Sequence, residues 1–371
     1  MMKKILFIFG TRPEAIKMAP VIKKFENYIN TFRPIVVVTA QHRDMLDQIL
    51  EIFHIKPDYD LDIMRKNQSL EDITIRSLKR LTKIIQLEKP KMILVQGDTT
   101  TTFVGALAGF YNKIPVGHIE AGLRTYDKFQ PFPEEINRKL TTVLADIHFA
   151  PTKSAAENLK KEGVPSSQIF VTGNTVIDAL LEVVGQNYKF KGSLERIINN
   201  NCKLILVTTH RRENFGKPLK NICLALNEIT QELEDVQILF SVHPNPKVRN
   251  VVLNVLHNNK KIHLFPPLDY VTFAHLMAKA YLILTDSGGI QEEAPSLGKP
   301  VLVLRNKTER PEAIEAGTVK LVGTNVKKII EETCKLLKDE SEYNKMAKAI
   351  NPYGDGKAAE RIFNIICGKL V

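Results

Sequence analysis

The chain has no tryptophan and only four cysteines among its 371 residues. The missing tryptophan excludes nothing about function. The cysteines say more: Cys202, Cys223, Cys334 and Cys367 are widely scattered, with no C-x-x-C pair and no metal-ligand spacing. They read as buried, reduced thiols, and no metal is expected. No apolar run approaches the ~18 residues that span a bilayer, so no membrane segment is expected. The N-terminus resembles a signal peptide only superficially. Lys3 and Lys4 precede the apolar stretch Ile5–Phe9, but Gly10-Thr11-Arg12-Pro13-Glu14 ends it well short of an h-region of about 7–15 residues. The run reads as a buried strand, and the expected location is the cytoplasm. Low-complexity tracts and short tandem repeats are also absent.

What is present is the composition of a soluble globular protein, 44% hydrophobic and 25% charged, long enough for two domains. Lysine and arginine exceed the acids by 52 − 41 = 11. That excess raises the question of nucleic acid. The positive residues are spread along the chain without interleaved aromatics, so a nucleic-acid partner is not expected and a small anionic ligand is only weakly favoured.

Short β-branched runs alternate with amphipathic stretches. Such runs are Ile5–Phe9, Ile35–Thr39, Met92–Val95, Val116–Ile119 and Ile147–Ala150, then Leu204–Thr208, Gln237–Val242, Ile262–Phe265, Tyr281–Thr285 and Val301–Leu304. Continuous apolar strands alternating with helices predict parallel sheets covered on both faces, an α/β doubly wound design used twice. The periodic pattern weakens over 172–201, at Gly192 and Asn199-Asn200-Asn201, which puts the change of domain there.

In open parallel sheets ligands bind beyond the carboxyl ends of the strands, so chemistry is sought immediately after each run. After the first run, Thr11 and Glu14 form a T-x-x-E capping box and Pro13 suits a first helical turn. The box does not account for Arg12 and Lys17, two cations at a helix start that already favours anions. After Val95 come Gln96-Gly97-Asp98, with Gly97 allowing a tight turn and Asp98 placed to cap a threonine-rich helix. Ile119 leads to Glu120-Ala121-Gly122-Leu123-Arg124. Glutamate is rarely buried alone, and pairing of Glu120 with Arg124 is the plain structural expectation. In Pro133-Glu134-Glu135-Ile136-Asn137-Arg138 the proline is placed to open a helix, with Glu134 and Arg138 spaced for an i,i+4 ion pair.

In the second half, His210-Arg211-Arg212 follows a strand and reads as an anion site, and Gln237–Val242 similarly ends in His243. The sharpest phosphate signal is Asp286-Ser287-Gly288-Gly289-Ile290-Gln291-Glu292-Glu293. Ser287, Gly288 and Gly289 can offer consecutive amides to an anion, and Glu293 can accept from a diol such as a ribose. This segment is not G-x-G-x-x-G and lacks the Walker Lys-Ser/Thr, so neither a dinucleotide redox cofactor nor ATP is indicated. Arg310, in Thr308-Glu309-Arg310-Pro311-Glu312, adds another candidate anion contact.

F-G-T-R-P-E-A-I-K-M-A-P, T-A-Q-H-R, G-D-T-T-T-T, H-I-E-A-G-L-R-T, F-P-E-E-I-N-R, H-R-R-E-N, D-S-G-G-I-Q-E-E-A-P-S-L-G-K-P-V and T-E-R-P-E-A occur in this order. The ordered set, running from Gly10 to Gly356, closely resembles the non-hydrolysing UDP-N-acetylglucosamine 2-epimerases. The resemblance implies the GT-B architecture, two Rossmann-like domains facing across a cleft. Residues 1–171 form one, joined by a C-terminal helix within 353–371, and residues 172–352 form the UDP-binding other. It implies that UDP-GlcNAc and UDP-ManNAc are interconverted, with no cofactor, by a homodimer that supplies ManNAc units for cell-surface polysaccharide. By the same resemblance Asp98, Glu120, Glu134 and His210 are the catalytic set. Arg12, Lys17, Arg138, Phe273, Ser287, Gly288, Gly289, Glu293 and Arg310 are the substrate contacts. Many relatives bind a second UDP-GlcNAc as activator; Gln41, Glu134, Arg211 or Arg212, and His243 match that subsite. Asp44 and Asn67 depart from it, standing where several relatives carry a second Gln and an Arg, and Leu268 stands where some have Gln.

The chemistry accounts for the acids. The C2 hydrogen is not beside a carbonyl, so the diphosphate must leave C1 first to acidify it. Elimination gives a glycal and bound UDP, and re-addition with protonation of the opposite face inverts C2. Two competing readings use the same residues differently. A GT-B glycosyltransferase with a UDP-sugar donor would share the S-G-G…E segment but would leave the first-half acids unexplained. A nucleic-acid-binding module would explain the charge and none of the acids.

Overall fold

The computed structural model describes residues 2–40, 43–65 and 68–370, with Arg43 and Asp44 described by their backbone alone. Two compact units are present: residues 1–179 with 353–371, and residues 180–352. Among the described residues no helix is long and apolar enough to cross a membrane.

The first unit holds a seven-stranded sheet. Its strands are β1 (Lys3–Phe9), β2 (Phe32–Val38), β3 (Tyr59–Asp60), β4 (Met92–Gln96), β5 (Val116–Ile119), β6 (Ile147–Ala150) and β7 (Ile169–Val171), in the order β3-β2-β1-β4-β5-β6-β7. Every pairing is parallel. Ile5 to Phe9 of β1 are fully buried, as a central strand covered by helices on both faces must be. The second unit repeats the plan with β8 (Lys203–Thr209), β9 (Val236–Val242), β10 (Ile262–Phe265), β11 (Leu282–Thr285), β12 (Val301–Val303) and β13 (Val319–Leu321). Its order is β10-β9-β8-β11-β12-β13, again all parallel. This α/β architecture is the one expected from the alternating runs. Strands β3, β7 and β13 were not legible, because edge strands of two or three part-exposed residues carry too little apolar signal.

In both sheets the strand order reverses at one point, between β1 and β4 and between β8 and β11. Such switch points open a crevice at the carboxyl ends of the strands. The segments singled out in the sequence, after Phe9, Gln96, Thr209 and Thr285, are the four that begin there.

The last helix, Ala358–Leu370, belongs to the first unit. Phe363 packs edge-on against Phe25 at 4.9 Å and stacks on Tyr28 at 4.4 Å. Asp178 accepts from the amides of Ala358 and Ala359, satisfying donors that a helix start leaves open.

Candidate active site

At the first switch point the chain passes from β1 into the helix Arg12–Glu26. Gly10 is required there: a Cβ would lie 2.0 Å from the Thr39 hydroxyl and 2.7 Å from that of Thr101. Glu14 reaches back to the Thr11 amide at 2.8 Å, as the T-x-x-E pattern predicts, and also accepts from the Gly10 amide. Its other oxygen accepts from the hydroxyls of Thr99 at 2.6 Å and Thr102 at 2.9 Å, tying this turn to the one after β4. Burial pushes the Glu14 carboxyl up, against those four donors and the Thr11 hydroxyl.

A cavity of about 450 Å³ opens beside these turns, lined by Arg12, Lys17, Asp98, Glu120 and Glu134 among others. Glu120 sits just past β5 in a left-handed conformation, φ 65°, which a non-glycine residue adopts only where its surroundings hold it. Lys17 Nζ lies 2.5 and 2.7 Å from the two carboxylate oxygens, Gln96 Nε2 donates at 2.5 Å and Asn174 Nδ2 at 3.0 Å. The expected partner, Arg124, instead pairs with Glu162 at 2.7 Å and donates to the Thr142 hydroxyl. Glu120 is thus turned toward the cavity.

Arg138 also differs from expectation. Its Nη2 donates to Asp98 Oδ2 at 2.5 Å and its Nη1 to Glu135 at 3.2 Å, so the i,i+4 pair with Glu134 does not form. Glu135, fully buried, further accepts from the amides of Thr125 and Tyr126 and fixes the preceding loop. Pro133 is the N-cap of the helix Glu134–Leu144. Glu134 therefore lies at a helix head on the cavity wall with no ion pair among the described residues. Asp98 does not cap the Thr100–Tyr111 helix; Thr99 does. His118 supports the turn from below. Its Nε2 donates to the Gly97 carbonyl at 2.7 Å, just where Gly97 takes φ 76°. Burial drives the His118 imidazole down to about 3, so it is neutral.

At the second switch point Asp286, completely buried, collects the turn after β8. The amides of His210 and Arg211 donate to it at 3.1 and 3.0 Å, and Asn214 Nδ2 at 2.9 Å. His210 Nδ1 lies 3.1 Å away. Burial alone would raise the Asp286 carboxyl; these hydrogen bonds outweigh it and hold it below the usual carboxylate range. The short helix Gly288–Glu293 follows, with Ser287 as N-cap. The Ser287 amide donates to the Thr285 hydroxyl at 3.0 Å, so of the three amides expected to face an anion, this one is engaged within the turn. A Cβ on Gly288 would lie 3.7 Å from Arg310 Nη2 and 3.8 Å from Arg211 Nη2, so two guanidiniums converge on the helix head. Each is steered by an acid: Arg310 Nε donates to Glu292, and Arg211 approaches Glu309 at 3.4 Å. Glu293 lies beside Gly289.

Phe273, half-buried on the helix Tyr270–Lys279, stands outside this hydrogen-bonded group. His243 lines a separate cavity of about 350 Å³ beyond β9 and β10, its Nδ1 accepting from the Asn245 amide. Gln41, Asn67 and the side chain of Asp44 lie outside the described residues. Sequence reasoning gave Glu14 only a capping role and assigned no site role to Gln96, His118, Glu135, Asn174 or Glu292. Gln96 and His118, polar residues within apolar strands, carried a usable signal; Asn174 and Glu135 did not.

Three acids around one cavity, and two guanidiniums over a glycine-headed helix, define a doubly wound α/β enzyme that handles an anionic ligand. The model of the UDP-N-acetylglucosamine 2-epimerase family matches residues 26–367, and the chain belongs to that family. It is 56% identical over 376 residues to the UDP-N-acetylglucosamine 2-epimerase of Campylobacter jejuni, covering 99% of this chain and 98% of that one. The crystal structure of UDP-GlcNAc 2-epimerase from Neisseria meningitidis bound to UDP-GlcNAc superposes with a TM-score of 0.85 at 50% identity, covering 98% of this chain and 100% of that one. The enzyme from Methanocaldococcus jannaschii in complex with UDP-GlcNAc and UDP gives 0.76 at 38% identity, with 98% and 99% covered.

Proposed function

We propose that the chain interconverts UDP-GlcNAc and UDP-ManNAc by eliminating UDP and adding it back through a glycal. The observation that carries this reading is the grouping of Asp98, Glu120 and Glu134 on one cavity wall beside Arg12 and Lys17. In elimination the C1–O bond breaks with its electron pair leaving on UDP, and the C2–H bond supplies the pair that forms the C1=C2 double bond. The C2 proton passes to a carboxylate. In re-addition a proton reaches the opposite face of C2 and the diphosphate oxygen returns to C1. Two faces call for two acid/base groups, each contributing roughly 10²–10⁴-fold. Glu134 stands on the same wall without an ion pair among the described residues. Asp98 beside Arg138, and Glu120 beside Lys17, share proton transfer and the stabilisation of positive charge at C1. Arg310, His210 and the amides of Gly288 and Gly289 hold the departing diphosphate, where negative charge grows in the transition state. Glu293 takes the ribose diol, with Phe273 and Ser287 completing the nucleotide contacts.

Proton NMR of the protein with UDP-GlcNAc in deuterated water, without any acceptor, tests this. The expected result is a manno product carrying deuterium at C2. A manno product that keeps its C2 hydrogen would overturn the elimination, and an unchanged sugar would favour a glycosyltransferase.

The reading includes a homodimer, cytoplasmic location and supply of ManNAc units for surface polysaccharide. An apolar outer face supports the dimer: Phe110 and Tyr111 end one helix, and Ile136, Leu140 and Val143 run along its packed neighbour, Val143 being 84% exposed. Glu134, the Arg211-Arg212 pair and His243 are the described matches to the activator subsite. With Asp44 and Asn67 departing from the pattern, a strictly hyperbolic velocity curve is expected.

A further inference from the structure

Glu120 is held by side chains from three separate parts of the first unit. Lys17 Nζ reaches both carboxylate oxygens, at 2.5 and 2.7 Å, and so supplies charge without choosing between them. The two neutral amides do choose: Gln96 donates to Oε2 at 2.5 Å and Asn174 to Oε1 at 3.0 Å. One amide on each oxygen fixes the plane of the carboxylate, and that plane decides which edge it presents to the cavity.

Asn174 is itself fixed at backbone and side chain. It is 3% exposed and lies between β7 and the helix Thr175–Val184. Its backbone amide donates to the Tyr353 carbonyl at 2.7 Å, and its Oδ1 accepts from the Val176 amide at 3.1 Å, which leaves Nδ2 aimed at Glu120. Buried Tyr353 is the residue at which the chain re-enters the first unit after residues 180–352. Gly173 and Gly354, at φ 90° and 137°, let the outgoing and returning segments touch. A Cβ on Gly173 would lie 3.3 Å from Gly354 Cα and 3.4 Å from the Tyr353 carbonyl oxygen. Arg361 closes the junction, donating to the Thr172 carbonyl at 3.1 Å and to both oxygens of Asp355. A side chain ordered this fully gives up little further freedom in holding a carboxylate, unlike a lysine on its flexible stem. Capping alone accounts for Oδ1, which makes an Asx turn into the helix, and not for Nδ2.

We propose that Asn174 is a positioning residue for the reaction. It sets the plane of the Glu120 carboxylate, and the point where the chain re-enters the first unit in turn sets Asn174. Asn174 does not line the cavity and acts through Glu120 alone. The proposal rests on the reading of Glu120 as a group that meets the sugar during epimerisation.

Asn174→Ser and Asn174→Asp test this in the full chain, by deuterium entry at C2 in deuterated water, steady-state kinetics and UDP titration. Both keep an oxygen for the Val176 amide. Serine is too short to reach Glu120, and aspartate keeps the size without the amide donor. In both, kcat should fall about 10–100-fold or more, with KM and UDP affinity within about threefold. In a Glu120→Gln background, Asn174→Ser should cost less than about threefold further, because the charge it serves is gone. Wild-type turnover in either variant would reduce Asn174 to a cap. KM and UDP affinity weakening by the same factor as kcat, or the full loss persisting beside Glu120→Gln, would show a structural effect that does not pass through the carboxylate. Each of these results overturns the proposal. Wild-type protein run alongside separates the two readings: without a deuterated manno product from it the role of Glu120 fails and takes this one with it. Normal wild-type exchange with an unaffected Asn174→Ser overturns the positioning role alone.

Discussion

The two units use one scaffold for opposite ends. In each, the strands flanking the switch point deliver the polar residues, and in each a buried carboxylate organises the turns: Glu14 in the first, Asp286 in the second. They differ in what is left over. Around the first cavity the cations Lys17 and Arg138 are matched to acids, and Glu134 remains as a carboxylate without an ion pair among the described residues. Over the second helix head, glutamates steer Arg211 and Arg310 while the guanidiniums converge on Gly288. The lesson is that strand order fixes where chemistry sits, and the residue types delivered there, carboxylates around the first cavity and guanidiniums over the second helix head, set what each place can do.

That contrast breaks most visibly at Glu120. Glu120→Gln keeps the shape but removes the charge that Lys17, Gln96 and Asn174 surround, and turnover should fall by about 10²–10⁴-fold with nearly unchanged UDP affinity. Solvent deuterium entry at C2 and a UDP titration measure the two separately. If affinity fell and exchange survived, the first unit would be a binding element and the division would fail. The complementary change is Arg310→Ala, which removes a charged donor from Glu292 and from the helix head. A loss of about 10–100-fold in UDP affinity is expected, from steady-state KM and direct titration. C2 exchange per bound substrate should also fall, though less than in Glu120→Gln, because the departing diphosphate loses a charged donor.

A third difference lies beneath the sites. The first sheet buries two histidines side by side on β5 and β6, His118 and His148, driven down by burial to about 3 and about 4. The unfolded chain protonates them near 6.5, so it binds more protons than the folded state, and stability is lost as pH falls below that value. Between pH 6.5 and pH 5 each costs about 2 kcal/mol. Urea melts at the two pH values should show the first unit weakening, and His118→Gln, which keeps a donor for Gly97, should remove about half of the slope. The smallest effect is expected at Val143→Lys. Light scattering should show a shift from dimer toward monomer, with stability of the fold within about 0.5 kcal/mol. An unchanged mass would remove the apolar face as the contact.

Much of this was legible in the residues. Uninterrupted runs such as Ile5–Phe9 and Leu204–Thr208 announced central parallel strands, because burial on both faces leaves no room for alternation. Arg12, Asp98 and Glu120, which line the first cavity, followed directly from strand ends. Partners were harder. Glu120 pairs with Lys17, 103 positions away, and Arg138 with Asp98, 40 away, whereas spacing favours the local choices of Arg124 and Glu134. Helical periodicity describes one element at a time, and these contacts are set by which turns the sheet brings together. The same holds for Glu14: its role as a cap could be read from T-x-x-E, but its bond to Thr99 depends on β1 and β4 being neighbours.

One feature of the first unit bears on how the chain can be rearranged. Lys3 Nζ lies 2.5 Å from the carbonyl of Leu370, so the first strand and the last helix finish side by side. Lys3, at the start of that strand, and Leu370, at the end of that helix, are therefore neighbours within the first unit. A short peptide joining the two ends of the chain, with a new break at the exposed Gly192, would reorder the sequence while leaving each sheet's pairings in place.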